Sequence, residues 1–178
     1  MGRTILITGC SSGIGRACAL GLKERGWKVF ATARTAEDIE ELKSLGLTSL
    51  HLDYADEESV KLCADEVLMR TGGKLDALFN NGAYGQPGAV EDLTREVLRA
   101  QFEANLFGWH DLTRRLIPAM RVNGGGRIVQ NSSVLGFVAM KWRGAYNASK
   151  FALEGLSDTL RLELRPFNIH VSIIEPGP

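Results

Sequence analysis

The sequence predicts an α/β fold in which a parallel sheet carries helices on both faces. Short, nearly continuous apolar segments alternate with longer segments whose apolar residues recur every three or four positions. Strands that are apolar on both faces are buried between layers, because a face in contact with water would carry polar residues. Regular alternation of strand and helix is typical of parallel sheets. We therefore predict three layers, α/β/α, in a single domain over residues 1–178.

Local signals place each element in chain order. The strands are predicted at residues 3–8, 28–32, 49–52, 76–80, 126–130 and 169–174. The helices are predicted at residues 13–25, 35–46, 56–70, 94–121 and 145–165. The strands are short runs that contain β-branched residues, and the first helix ends at Gly26. Thr35 with Asp38 is typical of a capping box at the start of the second helix, which ends at Gly46.

Composition argues against several classes of protein. The 21 basic residues balance the 21 acidic ones, so no net field favours nucleic acid or an anionic membrane. The apolar stretches are too short to span a bilayer. Residues 1–8 lead directly into the first strand, so we expect no secretory signal. The three cysteines, Cys10, Cys18 and Cys63, lack metal-ligand spacing, and we expect reduced thiols, no metal and a cytoplasmic location.

A glycine-rich turn follows the first predicted strand, with the sequence Thr-Gly-Cys-Ser-Ser-Gly-Ile-Gly over residues 8–15. Glycines allow a tight turn and a close approach of the backbone to a pyrophosphate, and the N-terminus of the next helix favours an anion. Ligands in such sheets bind beyond the carboxyl ends of the strands. The alternative is a glycine-rich turn without a ligand. The candidate cofactor-binding residues here are Gly9, Ser11, Ser12, Gly13, Ile14 and Gly15.

Tyr146 and Lys150 stand four residues apart in a predicted helix, and Ser133 lies 13 residues before the tyrosine. Residues at i and i+4 share one helix face, so the ammonium can lie beneath the phenol. A nearby cation lowers the pKa of a phenol and makes it a usable acid or base. A tyrosine and a lysine at this spacing also occur by chance. Together with the glycine turn and the serine, however, the pair indicates hydride transfer.

The glycine spacing resembles that of the short-chain dehydrogenase/reductase family, and the resemblance extends over the whole chain. The other residues that carry it are Asn80-Asn81-Gly82-Ala83, Asn105, Ser133, Tyr146, Lys150 and Pro176-Gly177. The order of Gly82 and Ala83 is exchanged relative to the family's usual Asn-Asn-Ala-Gly. The segment 146–156 is similar to the branch that contains hydroxysteroid and retinol dehydrogenases. The resemblance implies a Rossmann-type doubly wound parallel sheet, and family members continue past Pro178 into a seventh strand.

The resemblance also implies catalytic roles for four residues. Tyr146 would exchange a proton with the oxygen of a carbonyl or alcohol, and Ser133 would hydrogen-bond that oxygen. Lys150 would lower the pKa of the tyrosine and bind the nicotinamide ribose. Asn105 would anchor a water that links the lysine to solvent. Other interpretations remain open, since a serine can cap a strand end and an asparagine can interrupt a helix.

Further cofactor contacts follow from the same resemblance. Asn81 and Gly82 would lie near the adenosine ribose, and Pro176 and Gly177 would face the nicotinamide. Asp53 resembles the aspartate of the family that contacts adenine, and Tyr54 lies next to it.

The end of the second strand indicates the cofactor. NAD-binding sites place a carboxylate there, whereas a cation suits the 2′-phosphate of NADP. Neutral Ala33 is followed by Arg34, whose guanidinium fits a phosphate. Arg34 could equally be a solvated surface residue, and Ser12 occupies a position that is often basic in NADP-preferring relatives. We therefore expect NADP(H) to be preferred and NAD(H) to be possible.

The segment between the serine and the tyrosine, residues 134–142, is strongly apolar and is expected to form one wall of a substrate pocket. This favours a small hydrophobic carbonyl or alcohol as substrate. A homodimer or homotetramer is also expected. The family resemblance implies a contact through the helices near 94–121 and 145–165, whose apolar residues here include Leu98, Leu112, Leu116, Phe151 and Leu160. The alternative function is a non-catalytic protein that binds and senses NADP(H).

Overall fold

A computed structural model describes residues 2–177 and contains a parallel sheet of six strands in the order β3-β2-β1-β4-β5-β6. The strands are β1 (Thr4–Ile7), β2 (Lys28–Ala33), β3 (Thr48–His51), β4 (Ala77–Asn80), β5 (Gly126–Asn131) and β6 (Ile169–Ile174). This strand order is that of the Rossmann fold, in which the chain starts at the centre of the sheet and the order reverses between β1 and β4. The predicted fold class is therefore confirmed.

Helices connect the strands. They are α1 (Gly13–Glu24), α2 (Ala36–Ser44), α3 (Glu57–Thr71), α4 (Arg95–Phe102), α5 (Gly108–Val122) and α6 (Gly144–Leu164). Thr35 caps α2 as expected, because its hydroxyl accepts a hydrogen bond from the backbone N–H of Asp38 at 3.2 Å. The long helix predicted over 94–121 needs correction. It is divided into α4 and α5 by a π-helical turn at Glu103–Phe107, which contains Asn105.

The core forms two layers because successive side chains of each strand point to opposite faces of the sheet. Leu6 of β1 lies in the cluster that α3, α5 and α6 cover, whereas its neighbours Ile5 and Ile7 lie in the cluster that α1 and α2 cover. Trp109 of α5 is fully buried in the first cluster. Both faces of the sheet are therefore covered, as the continuous apolar strands predicted.

The apolar residues expected to support self-association are divided by the structure. Leu112 and Leu116 are fully buried in the core of the protein, so the expectation was wrong for these two residues. Leu98 of α4 and Phe151 of α6 are exposed, and Leu160 is partly buried against the core. Only the exposed pair is available to a second copy of the chain.

The sequence also predicts no membrane span and reduced cysteines. Between residues 2 and 177, no helix combines the length and the apolar content that crossing a membrane requires. The three cysteines are free thiols. Burial raises the pKa of both Cys10 and Cys63 to about 12, so these two thiols are protonated at neutral pH.

Gly15 allows α1 to pack tightly behind the turn that follows β1. A Cβ at this position would overlap the Gly9 carbonyl oxygen and would lie 2.6 Å from Nδ2 of Asn81. Both atoms belong to groups that are held in place at the carboxyl ends of β1 and β4, so moving either one would cost free energy. Gly15 therefore determines how α1 is placed relative to β1 and β4.

We predict that Gly15→Ala lowers the free energy of unfolding by about 1–3 kcal/mol, the usual cost of overpacking. Gly155→Ala is the matched control, because Gly155 is an exposed helical glycine with no atom within 4 Å of the position that a Cβ would take. This control should gain up to about 1 kcal/mol from helix propensity. Urea unfolding of both variants checks the prediction, and equal effects would contradict it.

Candidate active site

The candidate site lies at the carboxyl ends of β1, β4 and β5, where Thr8 connects two loops. Its hydroxyl accepts hydrogen bonds from the backbone N–H groups of Asn81 at 2.8 Å and Gly82 at 3.1 Å. The Thr8 hydroxyl also lies within hydrogen-bond distance, 2.8 Å, of the hydroxyl of Tyr54. These bonds fix the segment after β4 against the segment after β1. The result is a rigid floor at the point where the strand order of the sheet reverses.

The glycine turn lies above this floor in the conformation that its residues predict. Gly9 and Gly13 have positive φ angles of 65° and 56°, which side chains disfavour. A Cβ at Gly9 would overlap Cα of Gly82, so the two loops meet backbone to backbone. Ser12 is the N-cap of α1 but its side chain makes no capping hydrogen bond. The first N–H groups of α1 are therefore available to an anion.

A cavity of about 340 Å³ begins at this turn and extends over the ends of β2 and β3. Most of the expected cofactor-binding residues line it: Gly9, Ser11, Ser12, Gly13, Ile14, Arg34, Asp53, Tyr54, Asn81 and Gly82. Gly15 lies behind the turn, where it acts through packing. The cavity is thus shaped by backbone and small polar side chains, which suits a nucleotide with a pyrophosphate.

Charges of both signs line the cavity beyond β2. Arg34 is exposed there, and Asp38 lines the same cavity one helical turn further on. The Asp38 carboxylate accepts the hydroxyl of Thr35 at 2.7 Å. Nearby Arg16 pairs with both oxygens of Glu41, at 2.8 and 2.7 Å. Sequence reasoning identified the cation but missed Asp38, which it assigned only a capping role.

Asp53 and Tyr54 follow β3 and differ in their environment. The Asp53 carboxylate accepts the backbone N–H of Ala55 at 3.0 Å, and the backbone N–H of Asp53 donates to the hydroxyl of Ser59 at 2.9 Å. Tyr54 is buried; its hydroxyl donates to the amide oxygen of Asn80 at 2.7 Å and lies 2.8 Å from the hydroxyl of Thr8. Burial raises the pKa of Tyr54 well above its usual value, so this phenol is not an acid or base near neutral pH.

Asn81 joins three strand ends through its side chain. Its amide nitrogen donates to the carbonyl oxygens of Thr8 at 3.0 Å and Gly9 at 3.1 Å. Its amide oxygen accepts Nδ2 of Asn131 at 2.7 Å. The asparagine thus holds the glycine turn to the end of β5. Sequence reasoning missed Asn131, although its place at the carboxyl end of a central strand was a signal.

A second cavity of about 560 Å³ shares Ala83 and Tyr84 with the first and lies over the end of β5. Its remaining lining is formed by Gly85, Ser133, Val134, Leu135, Met140, Arg143, Tyr146, Pro176 and Gly177. Ser133, Tyr146, Pro176 and Gly177 are therefore brought together as expected. Of the apolar segment 134–142, only Val134, Leu135 and Met140 line the cavity.

Ser133 begins a short 3₁₀ turn, Val134–Gly136, and its oxygen accepts the N–H of Leu135 at 3.1 Å. The capping role considered from the sequence is therefore present, but it uses only the oxygen lone pair. The hydroxyl hydrogen is not used in this contact and can donate to a ligand. The serine can thus cap the turn and serve the cavity at once.

Asn147 positions the serine segment relative to Tyr146. Its amide nitrogen donates to the carbonyl oxygens of Leu135 at 2.9 Å and Val138 at 2.7 Å. Because Asn147 directly follows Tyr146, these bonds hold the cavity wall to the start of α6. Sequence reasoning did not identify this residue, whose role depends on a loop conformation.

Lys150 lies beneath the second cavity and is 1% exposed. Its ammonium donates to the backbone carbonyl of Asn131 at 2.7 Å and lies 4.4 Å from the ring centre of Trp109. The ring centre of Tyr146 is 5.6 Å from the same nitrogen, as the spacing of four residues predicted. Burial lowers the pKa of Lys150 to about 7, and the charge of Glu154 opposes this. The carbonyl and the two rings favour the charged form.

Asn105 is fully buried in the π-helical turn and lines neither cavity. Its side chain binds both backbone groups of Tyr84, accepting the N–H at 3.2 Å and donating to the oxygen at 2.8 Å. It also donates to Ser149 at 3.3 Å, and Ser149 donates to the carbonyl of Tyr146 at 2.8 Å. Asn105 thus connects the loop that separates the cavities to the helix that carries Tyr146 and Lys150.

The chain is similar in sequence to known proteins. The model of the short chain dehydrogenase family matches residues 3–178. The uncharacterized oxidoreductase YbbO of Escherichia coli strain K12 is 49% identical over all 178 residues, which cover 66% of its own length. Human retinol dehydrogenase 8 is 39% identical over 99% of this chain and 58% of its own. The chain thus spans less than two thirds of the length of these relatives.

Solved structures are also similar to this chain, both in fold and in sequence. A short-chain dehydrogenase from Streptomyces avermitilis has a TM-score of 0.95 and 40% identity, over all of this chain and 66% of that one. The L-sorbose reductase of Gluconobacter frateurii, solved with NADPH and L-sorbose, has a TM-score of 0.93 and 31% identity, over 99% of this chain and 69% of that one. The fold, the site and these similarities show that the chain belongs to the short-chain dehydrogenase family.

Proposed function

We propose that this protein is an NADP(H)-dependent oxidoreductase that transfers a hydride between the nicotinamide and a carbonyl or secondary alcohol. The observation that carries this proposal is the second cavity, where Ser133 and Tyr146 meet next to a cavity formed by the glycine turn. Lys150 lies directly beneath them. The name and the NADPH complex of the L-sorbose reductase structure support the cofactor, and the names of the other relatives support the reaction class.

The residues present fit a dinucleotide. Gly9 and Gly15 keep side chains out of the turn, where a Cβ would overlap neighbouring backbone. The uncapped N-terminus of α1 offers N–H groups to a pyrophosphate. In the proposed mode of binding, Asp53 would contact the adenine, Asn81 and Gly82 a ribose, and Pro176 with Gly177 the nicotinamide.

When bound, the nicotinamide cofactor supplies or accepts the hydride. Tyr146 then gives its phenolic proton to the carbonyl oxygen that gains negative charge, or takes a proton from an alcohol. Ser133 donates its free hydroxyl hydrogen to the same oxygen and orients it. The Lys150 ammonium stabilises the phenolate of Tyr146 and would bind the nicotinamide ribose.

Asn105 would serve the proton path through its backbone, because its side chain is fully used by Tyr84 and Ser149. A π-helical turn breaks the regular ladder of backbone hydrogen bonds, so a carbonyl there can accept a water. The role expected for the Asn105 side chain therefore passes to a backbone carbonyl of this turn.

The substrate we propose is a small hydrophobic carbonyl compound or alcohol. Val134, Leu135 and Met140 form an apolar wall beside Tyr146. Human retinol dehydrogenase 8 carries the name of an apolar alcohol, whereas the L-sorbose reductase carries that of a sugar. The apolar wall favours the first class. We also propose a cytoplasmic homodimer or homotetramer, with Leu98 and Phe151 in the contact.

We predict that Tyr146→Phe lowers kcat by about two to four orders of magnitude, because the ring is kept and only the proton donor is lost. NADPH affinity should stay within a few-fold. The test is NADPH oxidation by the full-length protein with a panel of apolar ketones and aldehydes. Tyr84→Phe is the matched control, since Tyr84 also lines the cavity but has no assigned proton role. A Tyr146→Phe variant with half the activity would show that the acid is another group.

Lys150→Met should change how stability depends on pH. The unfolded lysine keeps its proton up to about pH 10.5 and the folded one releases it near pH 7, so unfolding takes up a proton between these values. Raising the pH therefore stabilises the wild type through this group, by about 2 kcal/mol between pH 7 and 9. Methionine has no such group. Urea unfolding of both proteins across this range checks the difference, and a constant difference would refute the low pKa of Lys150.

Arg34→Ala should weaken NADP(H) by roughly 1.5–3 kcal/mol and leave NAD(H) unchanged, because only NADP(H) has the 2′-phosphate. Ala33→Asp should shift the preference further toward NAD(H) by repelling that phosphate. Asp38→Asn should act in the opposite direction, since it removes a carboxylate from the same cavity. The measurement is kcat/KM for both cofactors with one ketone at fixed salt.

Arg99→Ala is the control for the cofactor experiment, because Arg99 is an exposed arginine on α4 outside both cavities. Ala33 is 3% exposed, so the stability of Ala33→Asp is measured alongside its kinetics. A wild type that prefers NADH, or equal weakening of both cofactors in Arg34→Ala, would refute the proposed role of Arg34.

A further inference from the structure

Three residues of α6 lie at intervals of four along one helix face: Tyr146, Lys150 and Glu154. Side chains at this spacing are neighbours on a helix, so Lys150 lies between a phenol and a carboxylate. Glu154 is partly buried, and Lys150 is almost completely buried. The proposed reaction uses the first two residues and assigns nothing to the third.

The position of the Glu154 carboxylate is unusual. Its Oε1 atom is buried, and within residues 2–177 it has no hydrogen-bond partner. The hydroxyl oxygen of Ser132 is in the same condition. Both atoms lie 2.8 Å from the point that a Cβ on Gly136 would occupy, so they face one space that the glycine leaves open. A buried polar atom without a partner is costly, and such atoms often serve a function.

We propose that Glu154 is a positioning residue that keeps the Lys150 side chain charged, and through it supports the proton transfer by Tyr146. This inference rests on the proposed function. No hydrogen bond or ion pair joins the two side chains in the described part of the chain, where the ammonium donates to Asn131 instead. Glu154 acts through its charge, which is weakly screened because Lys150 is almost completely buried and Oε1 of Glu154 is also buried.

The other groups around the ammonium are uncharged, so each favours its charged form less strongly than a nearby carboxylate can. From β5 it meets a backbone carbonyl of Asn131, and from α5 the ring of Trp109, neither of which titrates near neutral pH. From its own helix it faces Tyr146 and Glu154. The charge of the Glu154 carboxylate raises the pKa of Lys150 against the effect of burial. Without it, burial would lower the pKa of Lys150 further, and less of the lysine would be charged and able to stabilise a phenolate.

The first experiment needs no activity and so tests the inference separately from the proposed function. Urea unfolding is measured from pH 5 to 9 for wild type, Glu154→Gln, Lys150→Met and the double variant. In the presence of Lys150, the glutamine should move the lysine-linked rise in stability to lower pH by about one unit or more. In the Lys150→Met background it should leave the pH dependence unchanged. Equal effects of Glu154→Gln in both backgrounds would overturn the proposal.

The second experiment follows kcat/KM for ketone reduction against pH. Glu154→Gln should move the alkaline fall in rate to lower pH by the same amount, with activity recovering as the pH is lowered. Glu154→Asp retains the charge and should restore most of the wild-type profile. Glu163→Gln removes an exposed carboxylate from the same helix and should have no effect. An unchanged profile in a folded Glu154→Gln protein would overturn the proposal.

The outcomes separate the two claims. Wild-type protein that reduces no ketone or aldehyde would defeat the proposed function, while the unfolding cycle would still test the link between Glu154 and Lys150. A wild-type protein that is active, but in which the unfolding cycle shows no coupling between Glu154 and Lys150, would contradict the role of Glu154 and leave the proposed function standing. If Glu154→Gln does not fold, Glu154→Leu takes its place, because leucine fills the space without a polar group. This variant must move the lysine-linked rise in stability to lower pH by the same amount.

Discussion

The burial of one ammonium group is the constraint on which the candidate site depends. Removing a charge from water is costly, and the protein offsets that cost by surrounding Lys150 with groups from three elements. A carbonyl of β5, an aromatic ring of α5 and side chains of α6 all converge on one nitrogen. Their placement fixes how these elements pack together. The burial also lowers the pKa of the lysine to about 7, so the charge of this group is sensitive to every neighbour.

A second constraint is the close contact between the loops after β1 and β4. Gly9 and Gly82 meet without side chains between them, and Thr8 and Asn81 supply the hydrogen bonds that hold the contact. Asn81 is in turn bound to Asn131, whose backbone oxygen accepts the Lys150 ammonium. A continuous hydrogen-bonded path thus runs from the glycine turn to the lysine. The two cavities are held in a fixed relation by this path.

Much of this could be predicted from the sequence, because it depends on local chemistry. The strands, the cap at Thr35 and the close pair Tyr146 and Lys150 follow from periodicity and from helix geometry. The role of Asn131 could not be predicted in this way, since a backbone carbonyl leaves no signal in a sequence. The π-helical turn at Asn105 depends on bonds to the distant backbone of Tyr84.

The remaining failures have the same origin. Leu112 and Leu116 were expected on a surface because amphipathic periodicity shows which residues share a face, but not which helix covers that face. Asp38 was recognised as part of a cap, yet its position in the cavity follows from how α2 returns to the sheet. Both are consequences of tertiary packing, which a pattern within one segment does not contain.

The division of the site between rigid and loop elements explains how one fold can serve different substrates. The proposed chemical groups stand just after β5, at Ser133, and on the first turns of α6, where hydrogen bonds and packing hold their geometry. The walls beside them come from Val134, Leu135 and Met140 and from the loop after β4, whose side chains can vary while the backbone stays bound to Asn147 and Asn105. Relatives named for retinol and for L-sorbose share this scaffold with the present chain. Under the proposed function, substrate choice would depend on loop residues such as Leu135 and Met140, and proton transfer on the face of α6 that carries Tyr146 and Lys150.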